Sequence, residues 1–156
     1  MCPITLILMA GAGREATAVD EESGSAERDD QPANALWRYV PALRNENDEW
    51  RLRLVLHDFG LVWEDTPVGQ RFDLVSREPD RIDPHWDAFL AAYAEHRCIE
   101  DGIDPPSWAL RPDRVLKTFW YAGGCHDYDR VRTIVTTPIT FEAHGIWLPR
   151  EELAVV

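Results

Sequence analysis

Residues 84–96 read PHWDAFLAAYAEH, and this stretch decides the fold class. Asp83 before Pro84 is a capping residue followed by a first-turn proline, the usual way into a helix. Trp86, Phe89, Leu90, Tyr93 and Ala94 then recur at helical spacing, and Asp101-Gly102 supplies the stop. The segment therefore predicts a helix with one apolar stripe. On its N-terminal side, Asn47 and Asp48 offer caps for a second run. There Leu52, Val55, Leu56, Phe59, Val62 and Trp63 share one helical face, and Gly60 is a point where that helix could kink. Thr66-Pro67 reads as cap and first helical residue of a short helix bearing Val68, Phe72 and Val75, which must stop before Pro79.

On the C-terminal side the pattern is more broken. Asp104-Pro105-Pro106-Ser107 is a rigid connector presenting Trp108. Pro112 can open a helix carrying Val115, Leu116, Phe119 and Trp120, which Gly123-Gly124 would end. Tyr128, Val131, Ile134 and Val135 form a further helical stripe, although the β-branched content leaves a strand open there. Thr137-Pro138 opens a turn of helix with Phe141. Gly145 fits a positive φ after it, residues 145–148 read as a short extended piece, and residues 149–153 as a last helical turn. No fixed-period repeat is present. The expected architecture is a mainly α, irregular small helical domain over residues 34–156, with a short extended segment near its C-terminus. A disordered acidic leader is expected over residues 1–33.

Composition narrows the function classes. The 156 residues, 45% of them hydrophobic and including seven Trp, are enough for one core. No apolar run reaches the roughly 20 residues of a spanning helix, so no membrane association is expected. A net charge of -12 argues against neutralising phosphates, so direct nucleic-acid binding is not expected either. Three scattered Cys suit a reducing compartment and point to the cytoplasm. The charge is uneven. Residues 1–33 hold seven acids and two Arg, and residues 34–110 hold fifteen acids and eight Arg. Residues 111–156 hold six of each sign. The last third is thus neutral and aromatic, the part best suited to meeting a protein partner. Fifteen of the sixteen basic residues are Arg. A GC-rich genome is the simpler reading of that skew, and a use for guanidinium forks the sharper one.

Several motifs are weighed and set aside. Ile4–Met9 followed by Ala10-Gly11-Ala12 imitates a secretion signal but lacks a basic start. Gly11-x-Gly13-x-x-Ala16 imitates a dinucleotide fingerprint but precedes an acidic stretch with no helical face to receive a pyrophosphate. No cofactor is expected. His96, Cys98, Cys125 and His126 form a ligand set zinc accepts. However, the paired ligands lack their usual spacer, and His96 and Cys98 stand about 200° apart on a helix, so no metal is expected. Cys125-His126-Asp127 invites a nucleophilic reading, yet sequence neighbours rarely reach one another as nucleophile and base. Asp127-x-Asp129 is the one tight carboxylate pair in the neutral third, and capping is its preferred role.

Residues 105–108 (PPSW), 118–121 (TFWY) and 136–148 (TTPITFEAHGIWL) occur in the order found in the C-terminal region of an actinobacterial, helix-turn-helix-associated, antitoxin-like family. Residues 84–96 and EWRLRLVLHDF at 49–59 resemble its preceding helices, so the resemblance spans residues 49–153. It implies an antitoxin-like regulator, in some members encoded beside a nucleotidyl-transferase-like toxin. Two departures stand out. Only the acidic leader precedes the domain, so a helix-turn-helix module is not expected. The family's basic run before its Gly-Ile pair is replaced by Glu142-Ala143-His144.

The resulting expectation is a non-enzymatic protein-interaction domain, antitoxin-like, whose partner is a protein such as a toxin encoded nearby. Trp108, Trp120, Phe141, His144 and Trp147 are the candidate contact residues, with Trp147 a hot spot that Gly145 aims. The alternative is a small enzyme, an RNase-type toxin or a metal-dependent hydrolase, using Asp127, Asp129 or His126.

Overall fold

The structure is a computed structural model that describes residues 31–123 and 129–154. The expectations for residues 1–30, and those for Gly124, Cys125, His126, Asp127 and Tyr128, lie outside the described residues.

The chain enters the fold earlier than position 34. The Gln31 side chain accepts from the Trp37 indole at 2.9 Å and donates to Ser76 Oγ at 3.3 Å, while Arg38 Nε donates to the Pro32 carbonyl. A 3-10 turn over Leu36–Tyr39 runs into α1 (Val40–Asn45). Asn47 then caps α2 (Asp48–Leu52) by accepting from the Trp50 amide. The run continues without a break through a π-helical segment (Arg53–Phe59) into α3 (Gly60–Asp65). Gly60 has helical dihedrals and does not kink the chain.

The π segment follows from the spacing of the core residues. Val55, Phe59 and Trp63 are fully buried and lie four apart. In an α-helix each four-residue step turns a side chain about 40° off its row, and the wider π turn reverses that drift. One face therefore stays on the core for the whole run.

α4 (Val68–Val75) follows, with a correction to its entry. Thr66 does not cap it. Its hydroxyl donates backward to the Val62 carbonyl at 2.6 Å, closing α3 instead. Leu74 and Val75 are the buried residues of α4, whereas Val68 and Phe72 are largely exposed.

α5 (Pro84–Glu100) begins as expected, with Asp83 accepting from the Trp86 amide. It departs from a one-sided stripe, because every residue from Trp86 to Ala94 is buried. Alanines at 88, 91, 92 and 94 fill the second side, and their small size lets other elements close on it. The helix ends in a Schellman motif: Ile103 N–H bonds the Cys98 carbonyl at 2.8 Å, Gly102 N–H bonds Ile99, and Gly102 takes φ 69°. Around α5 the aromatic rings interlock, with Phe89 against Phe141 at 5.6 Å and Tyr93 against Phe59 at 6.1 Å.

Three buried indoles act as latches between distant segments. Trp63 donates to Asp101, Trp86 to Asp48 and Trp108 to the Val75 carbonyl, each at 2.8 Å. A buried indole N–H without an acceptor would be costly, so these bonds specify register as well as packing.

After Pro112 only a 3-10 turn forms, over Pro112–Arg114, and Val115 and Phe119 are exposed. The helix expected there is replaced by β1 (Trp120–Tyr121). α6 (Arg130–Thr136), α7 (Ile139–Ala143) and β2 (Ile146–Trp147) follow, and a 3-10 turn closes the fold at Arg150–Leu153. β2 pairs with β1 in parallel, Trp120 opposite Ile146 and Tyr121 opposite Trp147. Among the described residues the fold is mainly helical, and no helix is long and apolar enough to cross a membrane.

Candidate functional site

The pairing of β1 with β2 sorts the side chains of the neutral third, because successive residues of a strand point to opposite faces. Ile146 and Leu148 go inward and are buried. Trp120 goes the same way, 5.8 Å from Trp86, 6.3 Å from Phe89 and 4.9 Å from the His85 ring. On the outer face, Phe119 stacks on Trp147 with centroids 4.3 Å apart, and Tyr121 stands 6.4 Å from Trp147 on its other side. The Arg130 guanidinium, at the start of α6, lies 5.8 Å over the Tyr121 ring. An aromatic row thus runs from Phe119 through Trp147 and Tyr121 to α6.

α6 continues that surface. Its apolar residues are turned outward, with Val131 73%, Val135 76% and, just beyond it, Ile139 74% exposed. The inward contact of the helix is Thr133, which is buried. The far end of α6 is tied down by Thr137, whose hydroxyl donates to the Thr133 carbonyl at 2.6 Å and accepts the Leu148 amide. Arg132 reaches Glu151 at 2.6 Å and fixes the helix to the C-terminal turn. The Glu151 carboxyl is held below the usual range by its own backbone N–H and by Arg132.

Of the five residues expected to contact a partner, three require correction. Trp108 is buried against Val75, with the Arg114 guanidinium 5.3 Å over its ring. Phe141 is fully buried between Phe89 and His96. His144 is buried with both ring nitrogens engaged, Nδ1 with the Arg114 carbonyl and Nε2 with Glu95, each at 2.8 Å. These three side chains are built into the interior and do not face solvent. Trp120 is half-buried and directed mainly to the core. Trp147 is half-buried and lies on the outer row, as expected. Gly145 has φ 79°, and a Cβ there would come within 3.0 Å of Leu116 Cβ, so its conformation does set the course of β2.

The surface residues that went unrecognised are Phe119, Tyr121, Val131, Ile134, Val135 and Ile139. The stripe at 131, 134 and 135 was legible as a helix, but a helical apolar period looks the same whether it meets a core or a partner.

Of the three residues of the alternative chemistry, His126 and Asp127 lie outside the described residues and Asp129 lies within them. Asp129 is half-buried at the N-terminus of α6, in the cap position but without a capping hydrogen bond. Among the described residues no group of three or more His, Cys, Asp or Glu is placed to hold a metal ion. Cys98 is buried, and that burial pushes its thiol up to about 12, far from thiolate chemistry at neutral pH. His96 pairs with Thr140 at 3.3 Å.

A concavity of about 780 Å³ opens between the run from α2 into the π segment and the β1 strand. Leu52, Leu56 and Leu148 line its apolar part, and Asp48, Glu49 and Glu152 carry its acidic charge.

No family model matches this chain, and no curated protein or solved structure is significantly similar to it.

Proposed function

We propose that this protein is a non-enzymatic interaction domain that binds a partner protein through the outer face of β1 and β2 and the exposed side of α6. The observation that carries this reading is the row Val131, Ile134, Val135 and Ile139 left uncovered on ordered helical turns. Contiguous apolar surface of this kind marks an interaction site on a soluble domain, and stacked aromatics at its edge provide rigid anchor area. The charge distribution agrees, since this third alone is neutral in a chain of net charge -12. The resemblance of residues 49–153 to an antitoxin-like family supplies a class of partner, a toxin encoded beside it.

The test is a binding titration of the full chain against the products of its neighbouring genes. It uses the natural chain, a Val131→Ser/Val135→Ser double variant and Trp147→Ala. The expected result is one neighbour that binds the natural chain. Its affinity should fall by roughly 30-fold or more in the double variant, as for central interface residues. The thermal midpoint of the double variant should be unchanged. Retained affinity in the double variant would remove this face from the interface.

A further inference from the structure

The groove between the π segment and β1 has a composition that selects for a ligand. Its volume of about 780 Å³ lies within the range of small-molecule sites. One wall is a helical run with an unusual property. Asp48, Leu52 and Leu56 recur every four residues, as do Glu49, Arg53 and His57, and all of them line the groove. A pure α-helix would carry the last pair about 80° away from the first over those eight residues. The π turns cancel that rotation, so polar and apolar residues stay in two parallel rows along one wall.

The charged groups of the whole lining are three carboxylates, Asp48, Glu49 and Glu152, and one guanidinium, Arg53. Neither Glu49 nor Glu152 has an ion-pair partner among the described residues, and both are exposed. Asp48 is 62% exposed at its side chain, with Arg51 Nη1 3.5 Å away. Of the basic groups in the lining, the Arg53 guanidinium lies 5.2 Å over the Trp50 ring and keeps its charge, and His57 Nδ1 is bonded to Asp58 at 3.0 Å. Asp48 is already engaged by the Trp86 indole and by Arg51, so Glu49 and Glu152 are the carboxylates left without an ion-pair partner in a lining that also holds Leu52, Leu56 and Leu148.

From this juxtaposition we propose that the groove binds a small organic cation with a flat apolar body. The body lies along the three leucines, and its ammonium or amidinium group meets the carboxylates of Glu49 and Glu152. Burial of the body supplies the non-directional attraction. The carboxylates supply discrimination, because they outnumber the one guanidinium of the lining and a neutral isostere gains nothing from them. The field of a strongly acidic chain also draws cations toward the concavity. The groove adjoins the outer aromatic row at Tyr121, which lines it, while Glu49 and Glu152 lie off that row.

Three indole probes with similar bodies and different charge test the proposal on the full chain: tryptamine, tryptophol and indole-3-propionate. Titration followed by methyl and amide NMR should show saturable tryptamine binding, with shifts centred on Leu52, Leu56 and Leu148. Tryptophol should bind at least tenfold more weakly, and indole-3-propionate weaker still. A Glu49→Gln/Glu152→Gln double variant should bring tryptamine down to the tryptophol level while leaving tryptophol binding and the thermal midpoint unchanged. Equal affinity for tryptamine and tryptophol would overturn the proposal. So would shifts centred elsewhere, no saturation of tryptamine in the millimolar range, or a double variant that still discriminates.

Discussion

His144 shows how one side chain can tie three segments. Its ring spans Glu95 on α5 and the Arg114 carbonyl after Pro112, from a position beside Gly145. Both partners are oxygens, so the ring bridges two segments through its two nitrogens. Replacing it by Ala strands a largely buried carboxylate, so His144→Ala should cost roughly 2–4 kcal/mol in a urea titration. A change below roughly 0.5 kcal/mol would mean that Glu95 is resolvated without loss. Arg114 works similarly. Its fully buried guanidinium bonds Glu78 at 2.6 Å, the Pro79 carbonyl at 3.0 Å and the Asp87 carbonyl at 3.3 Å. Arg71 spans Asp101 and the Thr66 and Glu64 carbonyls. A lysine ammonium could not reproduce these forks, which gives the arginine skew a structural use.

His96 carries the pH prediction. Burial lowers its pKa, opposed by Glu100 and reinforced by Arg97 and Arg150. The unfolded chain therefore takes up the proton first. The stability His96 contributes is fully present above its unfolded value of about 6.5 and is lost as pH falls through the lower folded value. As pH falls below about 6.5 the natural chain should lose stability faster than His96→Gln. Parallel curves for the two proteins below that pH would refute this.

At the scale of elements, α5 and α6 separate pattern from burial. Both carry apolar residues at helical spacing, yet α5 is enclosed and α6 is turned outward. Phe89→Ala in α5 should cost roughly 3–5 kcal/mol, as expected for a large buried ring. Val131→Ser with Val135→Ser in α6 should stay within roughly 1 kcal/mol of the natural chain. Denaturant midpoints of both variants check the contrast, and a similar loss in each would mean that α6 is packed. Between α7 and β2, Gly145→Ala should destabilise by roughly 1–3 kcal/mol. A Cβ is disfavoured at φ 79°, and the nearby Leu116 carbonyl, 3.1 Å from it, leaves no room. An unaffected midpoint would show that β2 can be re-aimed at no cost.

At the scale of the whole molecule, the start of the folded region is testable by truncation. A chain beginning at Asn34 loses the bonds of Gln31 to Trp37 and Ser76 and those of the Pro32 carbonyl. It should be less stable than a chain beginning at Gln31 by roughly 1–2 kcal/mol. Coincident unfolding curves would restore the boundary at 34. Within the fold, what could be read in advance was local. Asn47 and Asp83 as caps, Gly102 in the helix stop, Gly145 at positive φ, the long central helix and the short extended segment at 146–147 all stand where their residues place them. Each depends on contacts within a few positions along the chain, which is why the sequence alone determined them.

The tertiary structure decided what each apolar face meets. Periodicity assigned Val131 and Val135 to the same class as Phe89 and Leu90, and aromatic content beside the neutral last third made Phe141 and Trp108, with Trp147, candidate contact residues. Only the pairing of β1 with β2, across a long stretch of chain, turned Phe119, Tyr121 and Trp147 outward and left Trp120 facing Trp86 and Phe89. The groove is equally non-local, since its carboxylates come from residues 48–49 and residue 152. Side-chain spacing is encoded along the chain. Burial depends on which segments close over it, and that follows from the packing of the whole domain.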